Sequence, residues 1–290
     1  MAFDDAYSAL TDHEDDARWA FGTGFSDSLS SVPVDLLADI DISDFSAYCL
    51  MLGDDALILS HRLQEWVTRA PELEDELAIA NIALDLLGQA RLLLTRAGQA
   101  LDRSEDDLAF GRAPGDFRNV RLAERADADF AELAGRLFLM VTWRLAVFDR
   151  LSASRDPMLA AIAAKGVKEL TYHRDYAAQW VVRLGDGTPE SHRRMSAAMT
   201  ALLPLTGELF VPHPVESRLV PAGVAVDPAA VRTEFEGVLA QVLSAATLSG
   251  PVALGDAAPA GGRDGAHTAE LSSILREMRS VAHAVPGGVW

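Results

Sequence analysis

Two segments carry the decision about fold and chemistry: Ala80-Asn-Ile-Ala-Leu-Asp-Leu-Leu-Gly-Gln-Ala90 and Lys168-Glu-Leu-Thr-Tyr-His-Arg-Asp175. Each sits in a long run with helical periodicity. Each offers an acidic residue where a metal-bearing helical bundle would carry a Glu-x-x-His pair. Neither completes the pair. Asp85 is followed three residues on by Gly88, and Glu169 by Tyr172, with His173 one place further. The three-residue step matters because it stacks two side chains on one helix face, about 5–6 Å apart at Cβ.

Around these segments the chain reads as helix after helix. A first run, about Asp44 to Arg69, is apolar on all sides, which predicts a helix enclosed on several faces. Pro71 opens a second, with Glu72, Glu74, Asp75 and Glu76 complementing its positive end. Its stripe is Leu77, Asn81, Leu84, Gly88, Arg91, and Gly98 is its expected stop. Asp102 to Arg125 reads as a polar connector with a turn at Pro114-Gly115. A third run spans about Ala126 to Leu151. Asp156-Pro157 caps a fourth that ends at Leu184-Gly185. Thr188-Pro189 starts a fifth to about Phe210, and Asp227-Pro228 a sixth to about Leu248. A last helix is expected from Thr268 to Ala284. No stretch alternates with period two, so the fold class is all-α. Four core helices of this length give a four-helix bundle with additional C-terminal helices. Residues 1–43, rich in Asp, Ser and Gly, are expected to form an irregular arm, and 44–290 the helical domain.

Composition narrows the function. At 290 residues, 49% hydrophobic, the chain can bury a substantial core. A net charge of −18 argues against nucleic acid, since phosphate binding needs clustered Lys and Arg. It suits either a solubilising surface or a basic partner. Apolar runs such as Leu50–Leu59 are interrupted by Asp54 and Asp55, so no membrane partner is expected. The start, Met1-Ala-Phe-Asp-Asp-Ala, lacks the features of a secretory signal, and the expected location is the cytoplasm. Cys49 is the single cysteine and reads as a small core residue.

None of the seven histidines follows a Glu by three residues. Only Asp264-Gly-Ala-His267 offers a carboxylate at that spacing, in a glycine-rich loop. His173 shares a stripe with Ile162, Gly166, Leu170, Ala177 and Trp180, so it should point inward. Two readings follow. Asp55, Asp85, Glu169 and His173 form one degraded metal site, or His173 is a hydrogen-bonded core residue with Glu169 paired to Lys165 or Arg174. The second is the default. A buried Asp85 would need a partner, and a cation or hydrogen-bond network is expected to fill the central cavity. Gly261–Gly265 has glycines but follows no strand, so it reads as a flexible turn. Trp66, Trp143, Trp180 and Phe138 fit helical core spacing. There is no Gly-x-Ser-x-Gly elbow, Walker loop or Rossmann fingerprint.

Five segments carry a resemblance to a known family. They are Leu52-Gly-Asp-Asp-Ala-Leu-Ile-Leu-Ser-His-Arg-Leu-Gln-Glu-Trp66, Pro71 through Arg91, Glu169-Leu-Thr-Tyr-His173, Trp180 through Thr188, and Gly262-Arg-Asp-Gly-Ala-His-Thr268. They resemble the C subunits of bacterial ring-1,2-phenylacetyl-CoA epoxidases, from about Asp44 to Arg279. The resemblance implies a ferritin-like subunit without a metal or cofactor of its own. Its implied partners are a homologous catalytic subunit holding di-iron, a small bridging subunit, and a transient reductase with FAD and an iron–sulfur cluster. The activity implied for the assembly is epoxidation of phenylacetyl-CoA during aerobic phenylacetate breakdown. The alternatives are a metal-binding ferritin-like oxidoreductase with degraded ligands and a free-standing helical homo-oligomer.

Overall fold

The computed structural model describes residues 29, 31–248, 254–255 and 260–285. The chain divides into two compact units, Met1–Val32 and Pro33–Trp290, and the described helices all belong to the second. Among the described residues there is no strand. Most of the expected N-terminal arm lies outside them.

The bundle is built from α1 (Ile42–Gln64), α2 (Leu73–Leu101), α5 (Phe130–Leu151) and α6 (Pro157–Gly185). Capping residues set where they begin. Asp41 accepts hydrogen bonds from the Ser43 and Asp44 amides, Asp129 from those of Ala131 and Glu132, and Asp156 from that of Leu159. Each satisfies amides that the first helical turn leaves without partners. Pro157 occupies the first turn of α6, where its missing N–H costs nothing.

α1 packs along α2 and α5 along α6, while α2 and α6 meet edge to edge. Residues 51–60 of α1 and 133–148 of α5 are buried without interruption. These two helices form the middle layer. On one side lie α2 and α6, each buried along one face. On the other lie α4 (Arg121–Glu124), α8 (Pro214–Leu219) and α10 (Ala269–Met278), which pack on α1, α5 or both, while α9 (Arg232–Ala245) packs on α5 and α6. Burial on both sides explains why α1 and α5 are apolar nearly all round, while α2 and α6 each keep an exposed half.

The structure departs from the sequence reading at several boundaries. The connector after α2 is ordered, holding α3 (Glu105–Phe110), a 3₁₀ turn and α4. Gly98 does not end α2. The helix runs on to Leu101, and Asp102 makes the left-handed turn at φ 52°. Gly98 is required for a different reason: a Cβ there would lie 2.2 Å from the Arg103 carbonyl as the chain folds back. The fifth run becomes α7 (Pro189–Leu202) followed by a 3₁₀ segment, Leu203–Phe210, because Pro204 cannot continue the α-helix. The last run is broken at Arg279 into α10 and α11 (Ser280–Ala284).

Candidate functional site

The centre of the bundle lies between α1, α2, α5 and α6, and the inward residues are not those that the acidic residues suggested. On α2 the fully buried positions include Ile82, Leu86, Gln89 and Leu93, and on α6 Ile162, Leu170, His173 and Ala177. The inward pairs at three-residue spacing are therefore Leu86 with Gln89 and Leu170 with His173. Both frames start one residue later than Asp85 and Glu169, and both carry leucine where a ligating carboxylate would stand. One residue is a 100° rotation on a helix. That places Asp85 at the rim, its side chain 46% exposed, and Gly88 on open surface. The expectation of a buried Asp85 is corrected accordingly.

A cation from α5 occupies the interior. Arg144 is 1% exposed; its Nε donates to Gln89 Oε1 at 2.9 Å and its Nη1 to the Leu52 carbonyl at 3.0 Å. Its guanidinium lies 4.3 Å from the centroid of the Phe148 ring. Gln89 Nε2 in turn donates to Glu169 Oε2 at 2.9 Å, and Lys165 stands 3.6 Å from the same carboxylate. Gly166 makes room for this arrangement, because a Cβ there would be 2.6 Å from Phe148. Burial pushes Arg144 down to about 10, with Asp55 opposing, so it remains a cation at neutral pH. The expected filling of the cavity is thus a guanidinium and amide network.

His173 and Asp85 meet across α2 and α6, with Nε2 3.0 Å from Oδ2. Burial holds the imidazole below the ordinary histidine value despite Asp85. A neutral ring donating Nε2–H to the carboxylate satisfies both facts. His173 Nδ1 and Arg144 Nη2 are buried polar atoms without a protein partner.

Asp55 faces the other side of α1. Arg263 grips it with Nη1 at 3.1 Å and Nη2 at 2.7 Å, and the Val120 amide donates to its Oδ1 at 2.8 Å. Burial works against the charge on Arg263, but Asp55 and Glu216 outweigh it and hold the guanidinium above the usual arginine value. Asp54 beside it is held by Arg112 and the Arg118 amide. The segment Gly261–Gly265, expected to be a flexible turn, is a 3₁₀ turn stitched into the core. Gly262 donates to Glu208, and a Cβ on it would come within 1.9 Å of the Asn119 carbonyl. Asp264 caps Gly261 and does not reach His267. His267 instead places Nδ1 2.9 Å from Glu124 Oε2 and Nε2 2.9 Å from the Phe117 carbonyl. Both partners accept, so both ring nitrogens donate and the ring is an imidazolium. Its affinity for the proton is raised: burial opposes the charge, and Glu124 and Phe117 overcome that.

The chain matches the family model described as phenylacetic acid catabolic protein over residues 32–290. It belongs to that family. A relative, the C subunit of 1,2-phenylacetyl-CoA epoxidase from Escherichia coli (strain K12), is 42% identical over 250 residues. The match covers 86% of this chain and 100% of that protein. The phenylacetic acid catabolic family is ferritin-like, in agreement with the all-α bundle described above.

Ferritin-like folds raise the question of a carboxylate-bridged metal pair, and this member's central residues do not fit one. Such a centre wants a Glu from each of two helices and Glu-x-x-His from each of the other two. Here the corresponding interior offers Leu86 and Gln89, Leu170 and His173, and the cation Arg144. Among the described residues, no three His, Cys, Asp or Glu side chains stand where they could share a metal ion. Of the four candidates, Asp85 and His173 come together, Glu169 accepts from Gln89 in the separate Arg144 network, and Asp55 is turned away onto Arg263. Sequence reading missed three buried pairings, Arg144 with Gln89, Arg263 with Asp55, and His267 with Glu124. One signal was available: Arg144 is a cation within the long apolar run Leu137–Phe148.

Proposed function

We propose that this chain is a non-catalytic structural subunit of a phenylacetyl-CoA epoxidase, working in the cytoplasm beside a homologous subunit that holds the di-iron centre. A small bridging subunit and a reductase bearing FAD and an iron–sulfur cluster complete the assembly in this reading. The observation that carries it is Arg144. A fixed guanidinium, bonded to Gln89 and Leu52 and backed by Phe148, occupies the interior that a metal pair needs. A permanent positive charge there repels a divalent ion, and leucines at the carboxylate positions give it nothing to bind. The 42% identity to the Escherichia coli epoxidase protein supplies the reaction.

The contribution of such a subunit is mechanical. Its interior is cross-linked by side chains: Arg263 to Asp55, Arg112 to Asp54, Arg96 to Asp156 and Arg136 to Asp127, all with both partners buried. A bundle stiffened in this way presents a firm surface on which a less stable, ligand-bearing bundle can pack. Co-expression with a metal-bearing homologue tests the proposal. The expected result is a stable complex whose iron resides in the partner, with the partner alone insoluble or iron-poor. Full turnover by the partner and reductase without this chain refutes the structural role. Near-stoichiometric iron or manganese in this chain purified alone refutes the metal-free reading.

A further inference from the structure

The buried ion pairs named above rest on arginine, which keeps its charge at any pH a cell reaches. A fifth rests on histidine. His267 and Glu124 stand 2.9 Å apart with side chains 5% and 0% exposed. Histidine is the side chain whose charge changes between about pH 5 and 8. Glu124 also fixes the entry to α10: its Oε1 accepts from the Thr268 amide at 2.6 Å, and Thr268 caps the helix by accepting from the Glu270 amide. Its Oε2 accepts from Asn119 Nδ2 at 3.0 Å as well.

The charges around the ring favour its protonated form. Glu124 faces it from α4 and Asp54 from α1, the latter committed to Arg112 and the Arg118 amide. Arg263 in the same segment is spent on Asp55, Asp264 on the Gly261 amide, and Glu270 on α10 accepts from the Ala126 amide. The flanks are anchored by contacts that do not titrate near neutral pH. Upstream stands the Arg263 pair, and downstream Leu271, Ile274 and Leu275 are buried. Between these anchors Thr268 and Ala269 are exposed, so a short opening there uncovers little apolar surface. An imidazole that loses a proton has one N–H for two acceptors. Either Glu124 Oε2 or the Phe117 carbonyl then meets a lone pair. Glu124 is left as a buried carboxylate without its ion-pair partner, and opening of the segment lets it hydrate.

We propose that residues 265–268 form a proton-controlled latch: loss of the His267 proton releases Thr268 from Glu124 and frees the start of α10, while Arg263 keeps the preceding turn seated. The inference is independent of the epoxidase reading, because the full-length chain by itself tests it. The closed latch binds the proton more tightly than an ordinary histidine does, and the open one binds it with the ordinary value, about 6.5. Between those two values each opening releases one proton, so the opening constant rises by up to about tenfold per pH unit. Amide hydrogen exchange, corrected for its intrinsic pH dependence, reads that constant. From about pH 6 to about pH 9 the Thr268 amide should lose protection by more than about 3-fold, while amides in the middle of α5 keep theirs. In His267→Gln the Thr268 amide should be poorly protected at every pH. Nitrogen NMR of the native chain supplies an arm that needs no variant: the His267 midpoint should lie above that of the exposed His283, and Glu124→Gln should lower it. A His267 midpoint at or below that of His283 overturns the proposal. So does Thr268 protection that stays constant with pH, falls equally throughout α5, or keeps its pH dependence in His267→Gln.

Discussion

Replacing Arg263 by alanine removes the side chain that hydrogen-bonds and pairs with Asp55. Asp55 is 0% exposed, and Arg263 makes two contacts to it, at 2.7 and 3.1 Å. After the substitution the donor left to the carboxylate among the described residues is the Val120 amide at 2.8 Å. Breaking a buried pair from one side costs about 3–5 kcal/mol. That is a large share of the roughly 5–15 kcal/mol that holds a domain folded. With about 2–4 °C lost per kcal/mol in a chain of this size, the melting temperature should fall by roughly 6–20 °C. Removing both charges, as Asp55→Leu with Arg263→Met, should recover much of the loss. Recovery should be incomplete, because Arg263 also donates to the Met51 and Arg118 carbonyls. Thermal and urea unfolding of the native chain, Arg263→Met, Asp55→Leu and the double variant closes a double-mutant cycle and gives the coupling directly. The reasoning fails if Arg263→Ala costs under about 1 kcal/mol, or costs the same when Asp55 is already absent.

The His267 latch makes a pH prediction. Its folded-state proton affinity is raised, so its contribution is complete below the ordinary histidine value, about 6.5, and is lost as pH rises through the folded value. The stability gap between the native chain and His267→Gln should therefore shrink from pH 6 toward alkaline pH in thermal melts; a gap that widens contradicts the assigned imidazolium. Gly166→Ala drives a methyl into Phe148 and should destabilise the fold by about 1–3 kcal/mol in urea titration, whereas neutrality would mean that Phe148 can move from beneath Arg144. Asp156 both caps α6 and pairs with Arg96 at 2.5 Å, each side chain fully buried. Asp156→Ala should cost about 3–5 kcal/mol in chemical unfolding, and Asp156→Asn about 1 kcal/mol less because it retains the cap; equal costs would deny the cap a role.

The two rims of the candidate site differed in how far local signals could reach. His173 was legible as inward-facing because Ile162, Gly166, Leu170 and Ala177 share its stripe, and all of them are buried. The pairing of Glu169 with Lys165 followed from i,i+4 spacing and is present at 3.6 Å. Asp85 was misjudged because α2 has leucines on both sides, so periodicity did not say which stripe faced the core. The exposed Leu77 and Leu84 imitate a buried face. Gly261–Gly265 was misjudged for the opposite reason: its glycines signal freedom locally, while their use is close approach to Asn119 and Glu208 from distant segments.

The amino-acid sequence by itself determined the helices, their Asp and Thr caps, and the lack of any Glu-x-x-His, since these depend on neighbours within about one helical turn. Tertiary structure alone decided the phase of each helix about its axis and the partners of the interior charges. Arg263 reaches Asp55 across 208 positions, and Arg144 reaches Gln89 across 55. A buried charge is satisfied by whichever group packing brings within hydrogen-bond reach, and local sequence holds no record of that distance.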